Sequence, residues 1–330
     1  MPTPIDFLAI GDIVTDAFIR IKDAEASCDV DTGNCKLCVR FGDKVPYDSV
    51  EEVRAVGNSA NAAVAAARLG LKTALIAHVG RDAQGDDCLD ELTKNNIDIS
   101  YMGRHEGLPT NYHYVLWYGV ERTILVKHTE FPYSLPADLP APKMMYLSSM
   151  GENSKEYHHA IAAYAAAHPE MLLVFQPGTF QMKLGREELK DIYAQTYAFF
   201  CNLQEAQRIL ETKEKDAKIL MTMLHELGPK NIFITDGIEG AYASDGKEMW
   251  FMPIYPKAPY ERTGAGDAFA STVSAALLLG KSIPEALKWG PINSMSVVQY
   301  VGAQKGLLTT AKLLEHLADA PMDYEAKILL

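Results

Sequence analysis

Short apolar bursts separated by longer amphipathic stretches set the rhythm of this chain. Residues 5–10, "IDFLAI", form a continuous apolar run that stops at Gly11. Such a run predicts a fully buried parallel strand, the first of a central sheet. An alanine-rich helix, "SANAAVAAARLG" (59–70), leads into a strand in "KTALIAHVG" (72–80). Further bursts follow in "KMMYLSS", "MLLVFQPG", "YAFFCN" and "NIFITDG", each ending in a polar or glycine cluster. Helical stretches at 154–167 and 203–226 lie between them. Strands alternating with helices predict βαβ units, hence an α/β fold with a doubly wound parallel sheet.

Two segments break the rhythm. Residues 17–55 are polar and turn-rich, and residues 105–131, with "YHYVLWYGVERTILVKH", alternate apolar and polar positions with aromatic enrichment. Half-exposed antiparallel strands have that pattern. Together they predict a small β-sheet lid over a large α/β domain made of residues 1–16, 56–104 and 132–330. The bland alternative is a pair of ordinary surface hairpins.

Composition narrows the partners. The 330 residues are 48% hydrophobic and 22% charged, with a net charge of −12. That balance argues against nucleic acid or an anionic membrane as partner. The opening "MPTPIDFLAIGDIV" has no basic n-region, and no stretch reaches a membrane span, so a cytoplasmic location is expected. Five cysteines do not make a disulfide framework.

The chemistry concentrates where an apolar helix begins. In "ERTGAGDAFASTVSAALLLG" (261–280) two glycines and an aspartate precede that helix. A single Ser or Asp cap would start it at lower entropic cost, so Gly264 and Gly266 point to a close approach of the backbone itself. The first helical turn carries unpaired amides and partial positive charge, and Gly-Ala-Gly clears side chains away from them. The expected guest is an anion, most often phosphate. Asp267 directly follows that hole; as a mere N-terminal cap it would leave both glycines unexplained.

Ligands of open α/β sheets bind beyond the carboxyl ends of the strands. "GDIVTD" places Asp12 and Asp16 there, and "VGNSAN" places Gly57, Asn58 and Asn61. Carboxylates and carboxamides suit sugar hydroxyls. Capping would equally explain Asn58 or Ser59, but not Asn61 inside the first turn. "VGRDAQGD" adds Gly80, Asp82 and Gly85; "FFCNLQEA" ends in Asn202 with Glu205 three positions on; "ITDGIEGAYA" sets Thr235, Gly237 and Gly240 in a turn.

Taken together and in order, these motifs resemble the ribokinase (PfkB) family of carbohydrate and nucleoside kinases. "VGNSANAAVAAARLG" with "VGRDAQGD" is similar to its N-terminal signature, and "ERTGAGDAFAS" to its C-terminal one. Asn202/Glu205 are similar to its N-x-x-E motif, and "TDGIEG" to its T-x-G-x-x-G element. The resemblance spans Gly11 to Gly306 and implies a ribokinase-like fold. It also implies an ATP-dependent transfer of the γ-phosphoryl group to a hydroxymethyl group of a sugar, with an adenosine-like nucleoside as alternative acceptor. By resemblance, Asp16, Gly57, Asn58 and Asn61 hold the acceptor, and Asn202 and Glu205 organise Mg²⁺ through waters. Thr235, Gly237, Gly240 and Asn293 border ATP; Gly264, Ala265 and Gly266 form the anion hole; Asp267 is the base. A non-catalytic ligand sensor on the same fold is the rival reading, and an intact Asp267 with both glycines counts against it. A dinucleotide oxidoreductase would need G-x-G-x-x-G after the first strand, where only Gly11 stands.

The chain departs from the family pattern at several places. Glu261 stands where many members have Asp near a monovalent-cation loop, which leaves potassium activation open. Val56 and Ser59 replace common glycines. "FQPGTF" (175–180) stands where sugar kinases often have Asp-Pro-Asn. Cys28, Cys35 and Cys38 have C-x6-C-x2-C spacing, which predicts a structural Zn²⁺ in the lid, closed by a histidine such as His113 or His128. The alternative is three unlinked thiols. His158–His159 reads as a core and surface pair without chemistry. An exposed apolar lid face would favour homodimers.

Overall fold

The computed structural model describes residues 4–28, 35–119 and 121–329. The chain opens with β1 (Phe7–Ile10), β2 (Val14–Ile21), β3 (Glu25–Cys28), β4 (Cys35–Cys38) and β5 (Tyr47–Val56). Helix α1 (Asn58–Arg68), β6 (Thr73–Ile76), β7 (His78–Gly80), α2 (Ala83–Lys94) and β8 (Gly103–His105) follow, then β9 (Tyr112–Tyr118) and β10 (Glu121–Leu125). The middle holds β11 (Met144–Leu147), α3 (Lys155–Ala167), β12 (Leu172–Phe175), α4 (Thr179–Leu184), α5 (Lys190–Gln195) and β13 (Thr196–Asn202). Next come α6 (Leu203–Leu210), α7 (Ala217–His225), β14 (Asn231–Thr235), β15 (Ala241–Ser244) and β16 (Met249–Met252). The chain closes with α8 (Ala265–Leu278), α9 (Ile283–Val297), α10 (Thr310–Ala318) and β17 (Lys327–Ile328).

Nine strands form the central sheet in the order β17-β16-β15-β14-β13-β12-β11-β1-β6. From β6 to β14 neighbours run parallel, and buried runs such as "FLAI" and "MMYL" are covered by helices on both faces. The expectation of a parallel sheet needs one correction. The β14–β15, β15–β16 and β16–β17 pairs are antiparallel, so the sheet is mixed. The β14–β15 link is only Asp236–Gly240, closed by Asp236 N–H donating to Gly240 O at 2.8 Å. Five residues cannot carry the helix that a parallel crossover needs.

A second correction concerns 203–226, which is two helices. Glu211 adopts φ 54° at the end of α6, and Asp216 caps α7 by accepting from Lys218 N–H.

The lid is a four-stranded sheet ordered β10-β9-β2-β5. It begins at Val14, three residues before the expected boundary, so Asp16 is itself a lid residue. Strand pairing sets its faces. Asp16 lies opposite His113, Val115 opposite Ile124 and Trp117 opposite Arg122, and these form the face toward the large domain.

The cysteine expectation is overturned. Cys28 and Cys35 sit directly opposite each other in the β3–β4 pair and are joined by a disulfide, which removes both thiolates from metal chemistry. Cys38 is exposed, its thiol 3.9 Å from Lys36 O. Residues 29–34 between the cysteines lie outside the described residues. No group of three His, Cys, Asp or Glu side chains able to hold a metal occurs among the described residues. His113 and His128 instead face Asp16 and Asp12. No described helix is long and apolar enough to cross a membrane.

Candidate active site

A cavity of about 540 Å³ lies between the lid and the carboxyl ends of the central strands. Its floor is the start of α8. Gly264 is the N-cap, and no side chain caps this helix. Gly264 has φ +81°, and a Cβ there would lie 2.4 Å from Ala303 Cβ. Glycine is required at that turn. Nothing lies within 4 Å of a Cβ built on Gly266, so the space above the helix amides is open. Gly264 thus makes the turn, and Gly266 leaves the first-turn amides open to the cavity.

Asp267 is held from three directions. Asn58 Nδ2 donates to its Oδ1 at 2.9 Å, Asn61 Nδ2 donates to Oδ2 at 2.8 Å, and Gln176 Nε2 reaches Oδ1 at 3.2 Å. The capping alternative for Asn58 therefore fails: the N-cap of α1 is Gly57, and the Asn58 amide turns into the cavity. Gly57, at φ +114°, lets the backbone pass Asp12, whose carbonyl oxygen would sit 2.7 Å from a Cβ. Burial raises the Asp267 pKa above the ordinary carboxylate value, while Asn61, Gln176, the Arg122 charge and Asn58 pull it back down.

Beyond β1, Asp12 receives Tyr133 OH at 2.9 Å and lies 3.0 Å from His128 Nδ1. Asp16 lies 3.4 Å from His113 Nδ1, and its buried Oδ1 has no hydrogen-bond partner. A buried carboxylate oxygen left without a partner inside a cavity suits a ligand hydroxyl.

On the other side, Asn202 and Glu205 form a capping box at the start of α6, with Asn202 N donating to Glu205 Oε2 at 2.9 Å. The Glu205 carboxylate still lines the cavity, and its pKa is raised first by burial and further by the Asp267 charge. A buried carboxylate at the cavity wall suits a cation held through water. Thr235 lines the cavity at the end of β14.

Three expected site residues lie outside the lining. Gly237 is exposed and Gly240 buried, both in the turn after Thr235 at φ +55° and +123°. Asn293 is fully buried: its Nδ2 donates to Thr272 Oγ1 at 2.7 Å and its Oδ1 accepts from Leu308 N at 2.9 Å. Its amide ties α8, α9 and the chain after α9 together, away from the cavity. Asp82 caps α2 through Gly85 N–H, a structural role.

Lid residues that the motifs did not mark enter the cavity as well. Arg122, Ile124 and His128 line it, as does Gln176. Arg122 Nε is buried without a hydrogen-bond partner, 3.8 Å from Glu261 Oε1. The strand-end rule could have found Gln176, which directly follows β12. Nothing in the local sequence marks Arg122.

Residues 31–310 match the family model described as pfkB family carbohydrate kinase. The ribokinase of Bacillus subtilis is 30% identical over 274 residues, 79% of this chain and 87% of the relative. A nucleoside kinase of Methanothermobacter thermautotrophicus is 25% identical over 286 residues, 82% and 87% of the respective chains. The structure of Arabidopsis thaliana ribokinase complexed with ribose and ATP shares the fold at TM-score 0.76, with 17% identity, covering 96% of this chain and 99% of that one. The chain belongs to the pfkB family of carbohydrate kinases, phosphotransferases with an alcohol acceptor.

Proposed function

We propose that this chain transfers the γ-phosphoryl group of ATP to a hydroxymethyl group of a sugar, as ribokinases and fructokinases do. The observation that carries the reading is Asp267, aimed by three carboxamides and standing beside the uncapped N-terminus of α8. Phosphoryl transfer asks the protein for alignment and charge stabilisation. The amides of Gly264, Ala265 and Gly266, with the helix dipole behind them, oppose negative charge on the transferring group. Asp267 takes the proton of the attacking hydroxyl, and Asp12, Asp16 and Asn61 orient the acceptor. Mg²⁺ would shield the phosphate charge, and Asn202 with Glu205 fits it through water. Thr235 borders the nucleotide. Consumption of ATP supports a cytoplasmic setting.

A second acceptor class is supported by the cavity wall. Phe180, edge-on to His128 at 5.2 Å, and the lid's Ile124 form an apolar side against which a nucleobase could lie. The test is a panel of pentoses, hexoses and nucleosides with ATP and Mg²⁺, read as ADP formation. Saturable turnover with a sugar is expected. Turnover with nucleosides alone would replace the first reading by the second, and turnover with none would overturn both.

We also propose a homodimer through the lids. The lid face turned away from the cavity exposes Tyr114 and Leu125 on β9 and β10 and, across β2, Tyr47 and Val50 on β5.

A further inference from the structure

Gln176 has a neighbour that decides how its amide must lie. Its backbone N–H donates to Leu147 O at 2.9 Å, which fixes the residue just beyond the end of β12. Its Oε1 accepts from Tyr146 OH at 2.5 Å. Tyr146 is fully buried on the adjacent strand, its ring against Phe7 at 5.5 Å, and the phenol lies far from water. With Oε1 taken by the phenol, Nε2 is the end that faces Asp267. A flipped amide would set Oε1 against the Asp267 carboxylate, oxygen to oxygen. Asn61 is fixed in the same way on the opposite oxygen: Gln304 Nε2 donates to Asn61 Oδ1 at 3.0 Å and to Ala55 O at 2.8 Å. Two of the three amides on Asp267 therefore have their orientation set by a partner farther out.

From this geometry, and resting on the kinase reading above, we infer that Gln176, oriented by Tyr146, is a positioning residue that aims Asp267 and holds it ionised. This position belongs to the "FQPGTF" segment, where a carboxylate in place of the amide would repel Asp267 rather than donate to it. The proposal leaves no redundancy on Oδ1 beyond Asn58, because Asn61 serves the other oxygen.

Other charges face Asp267 and act alongside. Arg122 from β10 favours the ionised form, and the Asp267 charge in turn raises the pKa of Glu205 on α6. Tyr146 from β11 stays a neutral donor, since burial and the Asp267 charge both push its pKa well up. The sign follows: donors to the carboxylate lower its pKa, so removing one raises it. A base that titrates higher loses activity at a higher pH as the medium is acidified.

The test measures Asp267 without any substrate. The full chain is labelled with ¹³C at the aspartate carboxyls, and the Asp267 resonance is assigned by its loss in Asp267→Asn. The midpoint is expected to rise by about one pH unit in Gln176→Leu, the size of one hydrogen bond to a charged group. In Tyr146→Phe, which keeps the ring and removes only the hydroxyl, a smaller rise is expected. The acidic limb of kcat/KM should move the same way, with KM for ATP unchanged. Thermal melting checks that both variants are folded, and Tyr146→Phe decides the matter if Gln176→Leu is not. A midpoint that stays put in folded Tyr146→Phe and Gln176→Leu overturns the inference even where wild type is an active kinase. A wild-type chain that turns over no acceptor overturns the kinase reading instead, whatever the titration shows.

Discussion

At the scale of single residues, the cavity depends on a carboxylate whose surroundings conflict. Burial raises the Asp267 pKa, and three carboxamides and Arg122 restrain it. Asp267→Asn keeps the shape and removes the proton acceptor. It is expected to lower kcat by about 10²–10⁴-fold with melting little changed, read from steady-state turnover beside a thermal scan. A fall of less than tenfold would remove Asp267 from the chemistry.

Two histidines outside the mechanism contribute to acid sensitivity of the fold. His158 Nδ1 donates to Ser154 O, its Nε2 meets Gln181 Nε2 at 2.9 Å, and burial lowers its pKa from 6.5 to about 4. His78, packed against His105 and Phe131, is likewise lowered to about 4 by burial. Between those values the unfolded chain binds protons that the folded chain refuses, so stability is lost as pH falls through that window. Melting temperature should drop from about pH 6.5 to about pH 4. His158→Gln should make that slope shallower, whatever it does to stability at neutral pH.

At the scale of elements, the lid strand β10 meets the loop before α8 through two pairs formed by matching Glu-Arg sequences. Glu121 binds Arg262 Nη1 at 2.9 Å, and Arg122 faces Glu261 at 3.8 Å. The two differ in setting. Glu121 and Arg262 are about half exposed, whereas Glu261 is fully buried. Exposed pairs contribute little, and breaking a pair with one buried member leaves an uncompensated charge. Arg122→Met should therefore lower kcat/KM by about 10–100-fold, the size of one lost charge-assisted contact. Glu121→Ala should stay close to wild type. Comparable losses in both variants would mean that the lid is held by something other than the Arg122–Glu261 pair.

At the scale of the whole molecule, the outward face of the lid predicts association. Tyr114 and Val50 are each about half exposed on neighbouring parts of that face. Sedimentation of wild type is expected to give a dimer, and Tyr114→Glu combined with Val50→Lys a monomer that keeps its melting temperature. A wild-type monomer at all concentrations would end this proposal.

The sequence by itself determined the alternation of buried strands with helices, the two segments that break it and form the smaller sheet, and the glycine turn that opens the start of α8. Each rests on local physics: apolar runs make buried strands, alternation makes half-exposed ones, and Gly-Ala-Gly before an apolar helix exposes its amides. Asp267, Asn61, Asp12 and Asp16 were legible because they sit at strand ends or helix starts. Contacts between residues distant in the chain were decided only by the tertiary structure. Asn58 and Ser59 had equal claims to a helix cap, and the fold turned Asn58 to Asp267 and Ser59 to Asp12 O. Cys28 and Cys35 had spacing suited to a metal, and strand register set them side by side instead. Asn293 lay where a nucleotide contact was expected, and folding gave its two ends to Thr272 on α8 and to Leu308 after α9. Gln176 carries no local signal of its partners, because Tyr146 and Asp267 lie 30 and 91 positions away. Backbone preference acts over a few residues, whereas the orientation of a carboxamide is set by whichever donors and acceptors folding brings to its two ends.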